Sequence, residues 1–562
     1  MHRTCRQCRA SFDITPDDLV FYEKVSPVFS GKKKLIPPPT LCPDCRSQRR
    51  LSFRNERNLY RRQCGLTNKP IISTYAPEKP FPVFETEAWY TDAWDPFSYG
   101  RPFDFYRPFF DQFRELRNNV PRLSLAVINN ENCPYVNQVW QSKNCYMCID
   151  GGFNENDLYC HATYHSKDSS DCAFSRDAER SYDLLDSTLC YHCVSLVDCK
   201  NCSDAFFSID CQQCQNIAFC SNLRGKKYCI FNEEVGKEAF ERTVADILSG
   251  SHAAFEKHRE TFKNLLPQAL RRASHNIQCE DCTGDYLQHS LRCHSCFDGD
   301  KCQDLKHCTR LDEQVVSSMD VDHGAFQELA YEGLTITGRN VLFTHGSYST
   351  VNHDLLYCDL AITSSDCFGC VGIRNGKYCI LNKRYTREEY ETLVPKIIEH
   401  MRKTGEWGEF FPVDASPYAY NESVANEPEY FPVTKEEARK RGWSWREEAE
   451  EPPQATRTLD AKNLPDRIND VMDDILHAAI RCPVSGRLFK VIKQELEFYR
   501  KMRLPIPHFH PDERHKRRMA LRNPRKLWIR SCMKCGKEMR TTYAPERPEI
   551  VYCEECYLKE VY

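Results

Sequence analysis

Residues 190–220 read CYHCVSLVDCKNCSDAFFSIDCQQCQNIAFC, and the placing of the cysteines in this stretch decides the fold. A separation of 21 links Cys190 to Cys211, Cys193 to Cys214 and Cys199 to Cys220. Followed outward over residues 145–229, the same separation joins Cys148, Ser169 and Cys190, then Cys172 and Cys193, then Cys160, Ser181 and Cys202. Four columns at one period, short alternating stretches, and Asn, Asp, Ser or Gly before the cysteines argue for stacked coils. The expected fold class is mainly β with α segments, a duplicated cysteine-rich β-solenoid of about 21 residues per coil with small side chains in internal ladders.

The duplication is explicit. CSNLRGKKYCIFNEEVGKEAFE from Cys220 matches CVGIRNGKYCILNKRYTREEYE from Cys370 at a constant offset of 150, sharing Lys227/Lys377, Tyr228/Tyr378, Cys229/Cys379 and Asn232/Asn382. Two lobes, 133–250 and 279–403, are expected, joined by a helical linker over 251–278 that is interrupted near Pro267. Helices at about 235–250 and 386–403 would close each lobe by covering its last open strand edge. The second lobe has fewer cysteines in its middle, which weakens a shared metal or redox purpose. Buried structural thiols are the main reading, with added soft metal and redox use as the alternatives.

Outside the lobes lie two related modules, 1–95 and 464–562, with an aromatic-rich connector over 96–132 and a linker over 404–463. The first opens with Cys5-x2-Cys8 and continues to Cys42-x2-Cys45; the last closes with Cys532-x2-Cys535 and Cys553-x2-Cys556. Two CxxC pairs make a tetrahedral thiolate site with no open position, the structural type of zinc site, so two structural Zn2+ ions are expected. Thr15-Pro16-Asp17-Asp18 offers an N-cap, a first-turn proline and first-turn acids for a short helix. Each module also carries a decayed ribbon. Cys64 stands with Thr67, Glu85 and Ala88 near the other ligand positions, and Cys482 with Ser485, His510 and Glu513. The mixed set Cys482, His510 and Glu513 lacks the soft four-ligand character of the intact sites.

Between the ribbons, residues 50–64 recur as 518–532. Arg50, Arg54, Asn55, Arg57, Leu59, Arg62 and Cys64 return as Arg518, Arg522, Asn523, Arg525, Leu527, Arg530 and Cys532. Arg46, Arg50, Arg54, Arg57 and Arg61 are spaced to share one helix face, as candidates for gripping a nucleic-acid backbone together with Arg518, Arg522, Arg525 and Arg530. The alternative is internal pairing. The net charge of −3 divides into +6 over residues 46–62, +8 over residues 501–530 and −17 elsewhere, so the chain holds enough acid to neutralise its own arginines. Eleven aromatics in residues 89–113 read mainly as a hydrophobic seal, with base stacking as the second possibility.

The first residues, MHRTCRQCRASF, lack the apolar core of a secretory signal, and no apolar run is long enough to span a bilayer. A soluble, cytoplasmic protein with no membrane partner is expected, and in a reducing compartment its 33 cysteines are thiols or metal thiolates.

The first 62 residues, from CRQCRASFDITPDDLVFY to TLCPDCRSQRR, resemble the probable zinc-ribbon family, whose pattern is CxxC, a Phe, a helical FY and CPxCR before a basic run. The overall architecture is similar to large bacterial zinc-ribbon proteins of unknown function. The resemblance implies metal binding at Cys5, Cys8, Cys42 and Cys45 and adds nothing about a substrate. P-loop, HExxH, GxSxG and dinucleotide motifs are absent from the sequence. The leading expectation is a non-enzymatic zinc-binding scaffold contacting RNA or DNA backbone through its arginine helices. The alternatives are a protein-interaction scaffold with its arginine faces paired internally and, further off, a carbohydrate-active β-solenoid enzyme.

Overall fold

The computed structural model describes residues 1–447 and 452–562; residues 448–451, part of the linker expected over 404–463, lie outside the described residues. The protein is mainly β with α segments, and among the described residues no sheet closes into a barrel. It divides into two compact units, each assembled from distant segments. One comprises Met1–Leu125, Ser274–Glu447 and Pro524–Leu527; the other comprises Ala126–Ala273, the described part of Glu448–Asn523, and Trp528–Tyr562. Each terminal module therefore folds mainly with the lobe farther from it in sequence.

In the second unit, parallel strands follow one another at a fixed step. Asn137 pairs with Ile149, Ile149 with His161 and His161 with Ala173, and Gln215 pairs with Lys227 at the far end. The step is 12 residues, which corrects the expected 21. The reason lies in the backbone. From position 138 to position 231 every third residue is left-handed, with φ between +47° and +63°. Asn144, Asn156, Asp171, Asp183 and Asp210 hold such corners because a short polar side chain tolerates this conformation best after glycine. The residue after a corner is the buried one: Val139, Cys145, Cys148, Cys160 and Cys172 are each at most 1% exposed. Interior positions thus recur every three residues. A separation of 21 keeps two cysteines in phase as well as 12 does, but the strands pair only at 12.

The same geometry explains why cysteine and serine alternate inside. The Cys193 thiol donates to the Tyr191 carbonyl (3.3 Å) and to the Cys202 carbonyl (3.5 Å), while the Ser181 hydroxyl donates to the Glu179 carbonyl (3.0 Å) and accepts from the Cys193 N–H (3.3 Å). The Cys202 and Glu179 carbonyls already accept a backbone N–H, from Tyr191 and His192 (3.0 Å each), so either side chain adds a second bond at the carbonyl oxygen, and serine accepts an N–H as well.

The first unit contains the second ladder. Its far end keeps the step of 12, as in Ser365 to Lys377; its start mixes 11 and 12, as in Ile277 to Gln288 and Gly284 to Cys296, and its middle departs further: Gln303 pairs with Val316, Leu334 with His345 and Arg339 with His353. There the interior is filled by Val321, Ile336, Val341 and Leu355. Both ladders end alike. Lys227–Ile230 pairs antiparallel with Glu233–Glu234, and Lys377–Ile380 with Lys383–Arg384. These two-residue strands, not the following helices, occupy the last strand's edge. Helix Lys237–Ile247 packs on the flank through Phe240 against Phe206 and Tyr228, and helix Arg387–Thr404 through Tyr390 against Tyr378.

The aromatic segment 89–113 sends part of its rings into the core of the first unit, while Tyr90, Phe105 and Tyr106 are exposed. Trp89, Phe109 and Phe113 are fully buried; Phe109 meets Tyr357 edge-on at 5.2 Å and Phe113 stacks on Phe411 at 4.4 Å. Buried in this way, these three rings are unavailable to bases. The linker after the first ladder is helix His252–Leu265 and a short turn through Leu266–Gln268, broken at Pro267 as its residue type requires.

Candidate metal centres and arginine clamps

Four segments of the chain form the same knuckle. Cys5 donates its N–H to the Ala10 carbonyl, Cys64 to Lys69, Cys482 to Arg487 and Cys532 to Lys537, at 2.8–2.9 Å. In each, the residue four positions on from the cysteine turns left-handed: Arg9, Asn68, Gly486 and Gly536. Intact sites add a second pair at a helix start. Cys42 is the N-cap of helix Pro43–Leu51 with Cys45 in its first turn, and Cys553 is the N-cap of helix Glu554–Val561 with Cys556 in its first turn. Helix Pro16–Val25 lies between the two pairs of the first site and begins at Thr15, which forms a capping box with Asp18.

The sulfur atoms of Cys5, Cys8, Cys42 and Cys45 converge within 4.8 Å of one another, and those of Cys532, Cys535, Cys553 and Cys556 do the same. Cys8 and Cys42 sulfurs are 3.6 Å apart, and Cys535 and Cys553 sulfurs 3.8 Å. Tetrahedral coordination at a metal–sulfur length of 2.3 Å sets sulfurs about 3.8 Å apart, so both clusters fit one divalent ion each. These separations are too long for disulfides. Burial raises the Cys532 thiol, but the N–H groups of Cys535 and Cys553 outweigh it and bring its pKa down to about 6. Such donors favour the thiolate that a metal requires.

The decayed copies keep the frame without the ligands. Cys64 sulfur still accepts from Thr67 N–H (3.4 Å) and Glu85 N–H (3.3 Å), the positions that correspond to Cys535 and Cys553. At the other end His510 Nδ1 accepts from Asp512 N–H and caps helix Pro511–Met519. Among the described residues Cys482, His510 and Glu513 are not brought together as a ligand set.

The arginines do not form the long helical faces expected. Helix Pro43–Leu51 ends where Ser52 donates to the Arg49 carbonyl and Asn55 accepts from Asn58 N–H, which folds the chain into a turn. Arg54 pairs with Glu56 at 2.5 Å, a contact two residues apart that a helix would prevent. Arg57 is half-buried beyond the helix, and Arg61 is exposed on strand Tyr60–Gln63. Arg530 likewise lies on strand Trp528–Ser531.

What the arginines contact is acid from the same chain. In the first unit Arg46 meets Asp320 (2.9 Å), and Arg50 meets Asp322 (2.8 Å) and Glu332 (3.0 Å). Arg49, absent from the sequence-derived set, bridges Glu332 (2.9 Å) and Glu409 (2.7 Å). In the second unit Arg514 meets Asp171 (2.6 Å) and Glu495 (3.2 Å), Arg518 meets Asp171 (2.9 Å) and Asp183 (3.4 Å), and Arg522 meets Asp186 (3.0 Å). Asp320 and Glu332 are left-handed corners one coil step apart, as are Asp171 and Asp183. Each arginine helix therefore bridges two successive steps of its strand ladder. Arg525 pairs with Asp298 at 2.6 Å, while Arg62 and Arg530 donate to the equivalent carbonyls of Ala76 and Ala544. Arg514 is the counterpart of Arg46, and carrying the repeat four residues further back in sequence would have found it.

The ladder thiols do not add a metal centre. Among the described residues no other cluster of cysteines converges, and all 33 cysteines are free of disulfides. Burial pushes Cys220 and Cys302 up to about 12 and holds Cys358, Cys367 and Cys370 well above the ordinary thiol range. Protonated and hydrogen-bonded, these five are poor nucleophiles, whereas hydrogen bonds from neighbouring thiols bring Cys145 and Cys202 down to about 4. No described helix is long and apolar enough to cross a membrane. No protein-family model and no curated protein matches the chain.

Proposed function

We propose that the protein is a metal-stapled scaffold in which two zinc ribbons secure the terminal modules and the arginines are structural, each clamping a β-solenoid of about twelve residues per coil. It acts by presenting the outer coil surfaces to a protein partner, without a reaction of its own. The observation that carries this reading is the burial of the guanidinium groups: Arg50 is 0% exposed and Arg518 4% exposed, each against carboxylates of its own unit. A row of arginines consumed in this way has little positive field left for phosphates.

The test combines charge reversal with a nucleic-acid assay. Arg50→Glu and Arg518→Glu are expected to lower the melting temperature sharply, and the wild-type protein to show no salt-sensitive affinity for mixed-sequence RNA or DNA. Tight binding that falls steeply with salt and is lost in variants of unchanged stability would restore the nucleic-acid reading. Elemental analysis after purification under reducing conditions is expected to give two zinc per chain; a larger content would make the ladder thiols ligands.

A further inference from the structure

The two ends of the first ladder are finished differently. Strand Lys227–Ile230 is covered by Glu233–Glu234, whereas at the start Val127–Ile128 pairs with Asn137–Trp140 on one side and, among the described residues, with no strand on the other. One step further in, the N–H groups of Gln141 and Asn144 donate to the Ile128 and Glu131 carbonyls, and the Ser142 carbonyl accepts from Glu131 N–H, at 2.9 Å each. Their counterparts at the start, the Asn129 and Asn132 N–H groups and the Asn130 carbonyl, have no such partner among the described residues. Asn129 and Asn132 are exposed and Asn130 is half-buried, and Ile128 beside them is 51% exposed. A row of unpaired main-chain groups open to solvent is what an added strand pairs with.

Two side-chain columns say what that strand would carry. At steps of 12, Glu131, Lys143, Glu155, Lys167 and Glu179 alternate in sign along the ladder. Lys143 meets Glu131 at 3.0 Å and Lys167 meets Glu155 at 2.9 Å. Glu155 stands between two lysines of its column, but Glu131 has one on its inner side only. In the next column Asn132 donates through Nδ2 to Asn144 Oδ1 (2.9 Å), Asn144 to Asn156 (3.0 Å) and Asn156 to Asp168 (2.9 Å). Every amide thus turns its donor inward along the ladder, and Asn132 Oδ1 is left at the edge without a donor among the described residues. Opposite charges and amide pairs on neighbouring strands each favour their pairing.

We infer that this edge takes up an extended segment of a partner protein, stacked as one more step, with a lysine or arginine against Glu131 and an asparagine or glutamine against Asn132. A second copy of the edge does not fit, because residues 127–136 hold no lysine or arginine to set against Glu131. The inference rests on the scaffold reading for its protein partner and deepens it by naming the surface and the segment.

The probe is a fluorescent twelve-residue peptide copying residues 137–148, which carry Lys143-Asn144 and precede Glu155-Asn156 in the ladder, titrated with metal-loaded full-length protein. It carries Cys145→Ser and Cys148→Ser, and also Trp140→Ala, because that ring fills the space over Gly152, where the edge has Ile128. Saturable binding of one peptide per chain is expected. Lys143→Glu in the peptide should weaken it about tenfold, an attraction exchanged for a repulsion. Asn144→Asp in the peptide, which cannot donate to Asn132, should weaken it about threefold. Glu131→Lys in the protein should reverse the preference between the lysine and glutamate peptides. Glu131 lies outside the metal sites and the arginine clamps, so this variant should keep the wild-type melting temperature; the two peptide changes need no variant at all. A folded protein that binds no peptide, binds a scrambled peptide as tightly, or ignores Lys143→Glu overturns the edge inference and leaves the scaffold reading to its own nucleic-acid test. A dimer that dissociates on Glu131→Lys would assign the edge to a second copy and overturn it as well.

Discussion

Arg50 and Asp322 face each other at 2.8 Å with neither side chain exposed to solvent. A buried pair of this kind adds little net stability over an apolar pair, because both charges lose hydration; removing one partner is what costs. Arg50→Met is therefore expected to destabilise the first unit by about 3–5 kcal/mol, and Arg518→Met the second by a similar amount. The double variant Arg50→Met/Asp322→Leu should recover part of that loss. Urea denaturation of the single and double variants measures all of these.

Acid should act on Asp359. Burial alone would raise its pKa, but Arg122, at 2.8 and 3.0 Å, and His345, at 3.0 Å, outweigh it and hold the carboxyl well below the ordinary range. A folded-state pKa below the unfolded one means that the stabilisation is complete above about pH 4 and is lost as the pH falls further. Denaturation midpoints between pH 5 and pH 2 should show this dependence. In Asp359→Asn the slope should flatten by the contribution of one proton, about 1.4 kcal/mol per pH unit.

Metal content should separate intact from decayed knuckles. Cys532→Ser is expected to remove one metal equivalent per chain and loosen the C-terminal ribbon, whereas Cys64→Ser, at the matching place in a knuckle without its other ligands, should remove none. Elemental analysis with limited proteolysis reads both outcomes.

Ladder positions should discriminate by shape and donor rather than by sulfur. Ser169 donates to the Lys167 carbonyl as Cys172 does to the Ser170 carbonyl, so Cys172→Ser should cost less than about 1 kcal/mol, while Cys172→Leu, which overfills the coil, should cost about 2 kcal/mol or more. At the exposed corner Leu189, whose φ is +56°, Leu189→Asn should stabilise by about 1 kcal/mol, since asparagine accepts this conformation more easily. Thermal melts of the three variants test the set.

The two converging cysteine clusters and the capped helix after Thr15 were legible because knuckles and caps are local: the residues that matter lie within a few positions of each other or recur as CxxC. The regular spacing of the cysteines was legible, but the expected period of 21 is not the separation of 12 at which the strands pair. Cysteines fall on every third position, so several separations look periodic. The true step is carried by surface side chains instead, in Glu131, Lys143, Glu155 and Lys167, where Lys143 meets Glu131 at 3.0 Å and Lys167 meets Glu155 at 2.9 Å, and in the amide column Asn132, Asn144 and Asn156. Internal pairing was one of the two readings of the charge balance, but the particular acids that pair were not legible. Arg50 and Asp322 are 272 residues apart in sequence, and nothing local to either marks the other.

A ladder with a left-handed corner at every third residue and strands that pair at a separation of twelve can change length cheaply only by whole steps. Deleting twelve residues from the first ladder would shorten it by about one strand spacing, 4.8 Å, and leave every remaining side chain facing as before. Deleting one or two would turn the interior outward from that point on. The second ladder, with steps of 11 to 14, has absorbed such slips, at its start beside Cys279 and in its middle where the interior is aliphatic. The first ladder is thus a ruler graduated in units of twelve residues, and distances between groups displayed along it can be reset in fixed increments.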